Sequence, residues 1–394
     1  MDLTPVQSAI REAGLDGWLF CDFHNRDALA YRILGLDIAT FTSRRWFYLV
    51  PATGAPVRLV SRVESSRLDA LPGEKRLYLS WGDLAEALRA LVGGGRVAMQ
   101  WSPDDAIPSV STVDAGLVDL VRAAGATVVS SADLVQAFEA VIDEAGYRSH
   151  MDAGRRVHAI KDEAFARIHD ALESGRDLTE YDVQQFIVQR FDEAGLACDG
   201  EWPIVGVNDH PADPHFQPTP ENARVLRRGD TFLIDLWARD KAPGSIWHDI
   251  TWCGFAGTEP PVEYVRIFNV VRDARDAAVA FARQRFEAGL PCAGWEVDDA
   301  CRAVVRAAGY GDFFIHRTGH SIGTTVHGNS VNIDNLETRD LRRLAPGVCF
   351  SVEPGIYLPG RMAVRSEIDV FVTHDGRVEV TGPGPVRRLG ASFN

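Results

Sequence analysis

The chain has 394 residues, 46% hydrophobic and 24% charged, which excludes a wholly disordered or collagen-like polypeptide and leaves length for two or three domains. Its 41 Lys+Arg against 55 Asp+Glu give a formal net charge of −14, which argues against a phosphate-backbone binder and hence against nucleic acid as a partner. Six scattered cysteines (Cys21, Cys198, Cys253, Cys292, Cys301, Cys349) contain no C-x-x-C pair, so neither a disulfide framework nor a thiolate zinc site is expected. The opening MDLTPVQSAIREAG lacks a secretory pattern, and no apolar run reaches the ~18 residues of a membrane span. The expectation is a cytoplasmic protein with no membrane partner.

Up to about residue 150, strands and helices alternate. Gly17–Cys21 is a short apolar strand; Trp46–Val50 is another, ended by Pro51-Ala52-Thr53-Gly54, with Val57–Val60 returning beside it as a hairpin. Tyr78–Trp81 and Arg96–Gln100 extend the series, and Leu84, Leu88 and Leu91 mark a helix over Asp83–Val92. The Gly93-Gly94-Gly95 run precedes a strand rather than following one, so it is a weak nucleotide signal. The texture changes between Asp143 and Met151, which divides the chain into domains at 1–150 and 151–394. Thr179 followed by Asp182 reads as a helix start, Leu226–Asp230 as a turn before the strand TFLIDLW, and a long helix follows Pro261, with a shorter one near 297–308. The last 80 residues are strand-like with Gly and Pro turns.

Acids inside apolar strands are the informative feature. Asp235 interrupts Thr-Phe-Leu-Ile-Asp-Leu-Trp, where an ionised carboxylate costs several kcal/mol unless it is paired or bound to a metal. Asp249 opens a second strand, and a divalent cation between the two would relieve their repulsion. An arginine or backbone amides holding Asp235 is the alternative. Glu353 and Glu367 lie on further apolar runs, and His320 is framed by glycines. Four carboxylates and one imidazole form a hard O/N set suited to two ions such as Mn²⁺, Co²⁺ or Zn²⁺.

In order and context these five residues, with the segments HRTGHSIG, VEPGIY and VRSEIDVFVT, resemble the pita-bread metallopeptidase family. That family includes methionine aminopeptidase, aminopeptidase P, prolidase and the metal-free creatinases. The resemblance covers residues 155–394 strongly. It implies an α/β (α+β) architecture: an N-terminal creatinase-like α/β domain, then a pita-bread domain with a curved antiparallel sheet. It implies two ions bridged by a water or hydroxide, Asp235 chelating one, His320 and Glu353 binding the other, and Asp249 and Glu367 bridging. Glu353 would pass the water's proton to the leaving amine. His215 resembles a substrate-contacting histidine, and His327 one that hydrogen-bonds the substrate carbonyl; each is otherwise a solvent-facing loop histidine. Arg365 resembles an arginine near the site that orients a ligand or receives a dipeptide carboxylate, with a surface ion pair as the alternative.

The sequence also departs from the family. The Asp235–Asp249 loop is long, Trp237 and Ile246-Trp247 replace a usual glycine and Gly-Tyr, His248 directly precedes Asp249, Ser321 replaces a glycine, and Gly328 an acid. His248 is a candidate replacement for a missing relay tyrosine. The resemblance implies a Xaa-Pro dipeptidase acting on small peptides with proline second. The alternatives are aminopeptidase P, acting on longer peptides, and a catalytically silent binding protein. Trp202, Phe216 and Tyr357 are candidate pocket walls. A homodimer is expected, with Asp22–Asn25 a loop that could reach a partner's site.

Overall fold

The computed structural model describes residues 2–382 and the backbone of 390 and 391. The chain divides into two compact units between Ala140 and Val141. Position 150, expected as a domain boundary from the change in texture, falls inside the helix Glu144–Ser174, which Asp143 caps through the Gly146 amide at 2.7 Å.

The first unit is built on strands β1 (Gly17–Asp22), β2 (Trp46–Pro51), β3 (Val57–Ser61), β4 (Glu74–Tyr78), β5 (Arg96–Met99) and β6 (Thr127–Ser130), in the sheet order β4-β3-β2-β1-β5-β6. Alternate residues of β1 enter opposite cores. Trp18 and Phe20 pack with Val6 and Ile10; Leu19 and Cys21 pack with Leu84, Leu88 and Leu117. A strand covered on both faces reads as an unbroken apolar run, which is why β1 and β2 are legible in the sequence. The expected hairpin forms, with Trp46 opposite Val60. The strand expected at Tyr78–Trp81 lies earlier, over Glu74–Tyr78, because Ser80 and Asp83 close a capping box that starts a helix at Trp81. Its charged residues suit an edge strand. The Asp22–Asn25 loop is a tight turn. The Asp22 carboxylate accepts the amides of Asn25, Arg26 and Asp27 at 2.7–3.0 Å, and His24 and Asn25 adopt φ of 61° and 57°.

The second unit carries β7 (Leu196–Ala197), β8 (Ile204–Val207), β9 (Thr231–Asp240), β10 (His248–Phe255), β11 (Ser321–Ile322), β12 (Cys349–Val352), β13 (Gly355–Leu358), β14 (Met362–Arg365), β15 (Ile368–Val372), β16 (Val378–Val380) and β17 (Gly390–Ala391). One sheet runs β17-β10-β9-β7, with β8 also on β9; another runs β11-β12-β15-β16; β13 and β14 form a hairpin. The expected helices form over Glu180–Glu193, Val262–Glu287 and Gly294–Ala307. Period-two alternation assigns each face. Phe232, Ile234, Leu236 and Ile250 join a core with the helices Glu144–Ser174 and Glu180–Glu193, while Leu233 and Cys253 point into a second core with Val262–Glu287. This is the mixed α/β pita-bread architecture. Among the described residues no helix is long and apolar enough to cross a membrane. Residues 383–389 and 392–394, part of the strand-like tail expected from sequence, lie outside the described residues.

Candidate active site

Asp235 shares the face of Leu233 in β9, away from the helix Glu144–Ser174. In the antiparallel register it stands opposite Thr251 of β10, and Asp249 stands opposite Trp237. The two acids are therefore a diagonal pair on one face, with Thr251 beside both. The Thr251 hydroxyl lies 2.8 Å from Asp235 Oδ1 and 2.7 Å from Glu367 Oε2. One hydroxyl proton cannot serve two carboxylates, so this contact needs a further proton or a cation.

Arg365 at the end of β14 organises this corner. Its Nε donates to Thr251 Oγ1 at 3.0 Å, one terminal nitrogen donates to the Tyr357 hydroxyl at 3.2 Å, and the other pairs with Asp235 Oδ2. The Tyr357 oxygen lies 2.7 Å from His316 Nε2, and His316 Nδ1 lies 2.7 Å from the Arg317 carbonyl. Only an N–H fits that carbonyl, so Nε2 accepts the tyrosine proton. Arg365 is buried, which removes the surface ion pair as a reading. Both openings left for Asp235 are present at once: an arginine holds it, and it faces other acids.

His320 arrives from a different sheet. A Cβ at Gly319 would lie 1.9 Å from the Ser351 carbonyl oxygen, so only glycine lets this segment approach β12. The His320 amide donates to Ser351 Oγ at 2.9 Å, and Nδ1 faces the Ser321 carbonyl at 3.1 Å. That leaves Nε2 directed at Asp249 Oδ2, 3.7 Å away, and Glu353 Oε1, 3.5 Å away. These separations are long for hydrogen bonds but fit ligands sharing one cation at ~2.0–2.2 Å. Ligand atoms of Asp249, His320 and Glu367 all lie within 4.8 Å of one another.

The electrostatics agree with a cation. Burial, then the neighbouring acids, pushes Asp249 and Glu367 well above the usual carboxylate range. Burial raises Glu353 to about 7, with Arg365 opposing and Asp235 adding to the rise. Burial holds His320 well below its ordinary value and so neutral, as a ligand must be. Asp249 Oδ1 is buried without a hydrogen-bond partner. Buried, mutually repelling carboxylates with an orphaned oxygen and a neutral imidazole are what divalent ions would stabilise.

All five side chains line one cavity of ≈490 Å³, joined by His215, His327, Arg365 and Trp202. His215 and His327 are exposed at its wall, and the His327 ring lies 4.4 Å from that of His320. Phe216 instead stacks on His210 at 4.2 Å, and Tyr357 is buried behind Arg365. His248 cannot replace a relay tyrosine here. It follows the opposite parity from Asp249 on β10, and its Nδ1 faces Asp369 at 3.2 Å.

A model of metallopeptidase family M24 matches residues 152–374, which contain every one of these side chains. Over 384 residues the chain is 31% identical to "Probable dipeptidase PepE" of Mycobacterium tuberculosis, spanning 96% of this chain and 93% of that protein. This chain belongs to metallopeptidase family M24. As an M24 metallopeptidase it is also 33% identical to the Xaa-Pro dipeptidase of Lactobacillus helveticus over 216 residues, 55% of this chain and 54% of that one. The crystal structure of dipeptidase PepE from Mycobacterium ulcerans superposes with a TM-score of 0.66 at 26% identity, covering 97% of this chain and 95% of that one.

Two residues of this M24 site escape a sequence reading, Thr251 and His316. Thr251 had a signal in hindsight, since it lies two residues beyond Asp249 and so shares its face. His316 had none stronger than standing four residues before His320.

Proposed function

We propose that the chain hydrolyses the Xaa-Pro bond of dipeptides using two divalent ions held by Asp235, Asp249, His320, Glu353 and Glu367. The observation that carries the reading is the convergence of these five side chains on one cavity. Asp235 would serve one ion, His320 and Glu353 the other, with Asp249 and Glu367 between them. Bound there, Mn²⁺, Co²⁺ or Zn²⁺ would bring the pKa of water towards neutrality and polarise the scissile carbonyl. Glu353 takes the attacking water's proton and returns it to the leaving amine. Arg365, braced by Tyr357 and Thr251, fixes the orientation of Asp235. His327 and His215 reach the substrate carbonyl from the cavity wall, and Trp202 offers an apolar surface to a proline ring. The Xaa-Pro dipeptidase named among the relatives supports this choice of substrate.

The test is a substrate-length comparison with metal-reconstituted protein: Ala-Pro, Ala-Pro-Gly and Met-Gly-Gly. Cleavage of Ala-Pro alone is expected. Equal or faster cleavage of Ala-Pro-Gly would make the protein an Xaa-Pro aminopeptidase, and no cleavage of any peptide with added Mn²⁺, Co²⁺ or Zn²⁺ would end the peptidase reading.

A further inference from the structure

The two acids proposed to bridge the ions come from different sheets: Asp249 lies within β10 and Glu367 just ahead of β15. Neither strand alone fixes how far apart these acids stand; the seam between them does. The Glu367 amide donates to the Thr251 carbonyl at 3.2 Å. Two residues away on each segment, the Asp249 amide donates to Asp369 Oδ2 at 2.8 Å. A side chain makes this second bond where a sheet would use a backbone carbonyl. Among the described residues, β17 pairs with β10 only at Gly254 and Phe255, so Asp369 takes the place of a neighbouring strand beside Asp249.

Asp369 is an expensive residue for that task. It is buried, no lysine or arginine pairs with it among the described residues, and its Oδ1 has no hydrogen-bond partner. Two histidines back it. His150 Nδ1 lies 2.5 Å from the Trp247 carbonyl and so carries the proton, which leaves Nε2 an acceptor. His248 Nδ1 lies 3.4 Å from that Nε2 and 3.2 Å from Asp369 Oδ2, so its N–H faces both acceptors, beside the oxygen that Asp249 uses. Room for this ring comes from Gly154 within the helix Glu144–Ser174, where a Cβ would approach the imidazole to 2.7 Å. The Asp369 backbone is held as well. Its carbonyl accepts the Thr381 amide at 2.9 Å, and it stands opposite Ser351 of β12, whose hydroxyl accepts the His320 amide. The register of β12 and β15 thus links the segment that carries His320 to the side chain that holds Asp249.

We infer that Asp369, backed by His248, is a positioning residue for the metal pair: it clamps the seam between β10 and β15 and so sets the separation of Asp249 and Glu367. It touches neither the ions nor the substrate. Its part is to hold the Asp249 peptide so that the carboxylate on that residue stays directed at Glu367. The inference rests on the two-ion reading above and names a residue outside the cavity on which that reading depends.

The test titrates Mn²⁺ into the full chain after chelation, followed by calorimetry and electron paramagnetic resonance. The parent is expected to show the signal of an exchange-coupled Mn²⁺ pair. In Asp369→Leu the second ion should bind about 10–100-fold more weakly, the range for loss of a residue supporting a metal ligand. The coupled signal should give way to that of isolated Mn²⁺, and kcat for Ala-Pro should fall with KM unchanged. Asp369→Asn keeps an acceptor oxygen for the Asp249 amide and should restore the coupled signal. A coupled pair with parental affinity in Asp369→Leu would overturn the inference. So would Asp369→Asn as impaired as Asp369→Leu, because charge rather than the clamp would then be responsible, or a parent without the coupled pair. If Asp369→Leu does not fold, His248→Leu takes its place: it strips the imidazole from the carboxylate, and a parental second-ion affinity there would overturn the inference. A parent that shows the coupled pair but cleaves no Ala-Pro refutes the proposed activity alone; one that cleaves Ala-Pro while the coupled pair survives in Asp369→Leu refutes this inference alone.

Discussion

Asp249 is buried, has an oxygen with no hydrogen-bond partner, and faces Asp235, Glu353 and Glu367. Its isolation from compensating donors suits the metal-ligand role proposed for it rather than half of a salt bridge. Asp235, by contrast, already has Arg365 and Thr251. Asp249→Asn is therefore expected to lower bound metal and hydrolysis together while the far-UV circular dichroism stays that of the parent; unchanged metal content would refute the assignment. Glu353→Gln keeps a neutral oxygen ligand but removes the proton acceptor, so kcat should fall by ~10²–10⁴ with substrate binding retained. At this scale the sequence is readable where a residue type is expensive in its context. An acid inside an apolar run is expensive, and four of them were legible, although only Asp235 and Asp249 lie within strands, Glu353 following β12 and Glu367 preceding β15. Thr251 was not, because a threonine in a strand is ordinary.

Elements set the distances. The two-residue period of β9 and β10 turns Asp235, Asp249 and Thr251 to the cavity and His248 to the opposite face. His320 reaches the same place only because Gly319 allows β11 and β12 to close. Gly319→Ala would press a methyl group into the Ser351 carbonyl. Overpacking of this kind costs about 1–3 kcal/mol, and here it also shifts the amide that carries His320. Lower thermal stability and weaker metal affinity should appear together in melting and metal-titration measurements; parental values for both would show that the close approach is not needed. The helix start at Thr179 could be read from its capping residues, whereas Asp143, which caps the helix Glu144–Ser174, stood out only as the edge of a change in texture. The shift of β4 away from Tyr78–Trp81 could not, because an apolar run at a surface edge resembles a buried strand.

For the molecule as a whole, buried histidines dictate the response to acid. Burial holds His150 and His158 at about 4 and His316 at about 3, against 6.5 for the free side chain. The unfolded chain therefore binds more protons below pH 6.5 than the folded one. Their contribution to stability is complete above 6.5 and is lost as the pH falls towards 4. The raised carboxylates, Glu353 at about 7 among them, act with the opposite sign in metal-free protein, which they favour at low pH and disfavour as the pH rises to about 7. Bound metal takes the place of those protons. The fall in melting temperature between pH 7 and pH 5 should thus be larger with saturating metal than in chelator, and smaller in His158→Gln than in the parent. Equal falls with and without metal would show that the cavity acids are not what the metal neutralises.

By itself the sequence determined the candidate ligand residues and their order, the strands that carry Asp235 and Asp249, several helix starts, and the net negative charge, because each depends on local composition, periodicity or the cost of burying a charge. Tertiary structure decided the rest. It placed Arg365 on Asp235 rather than at the surface, turned His248 towards His150 and Asp369, and brought His316 and Tyr357 behind the site. These pairings join residues distant in the chain. They are set by strand register and sheet packing, which no local pattern specifies.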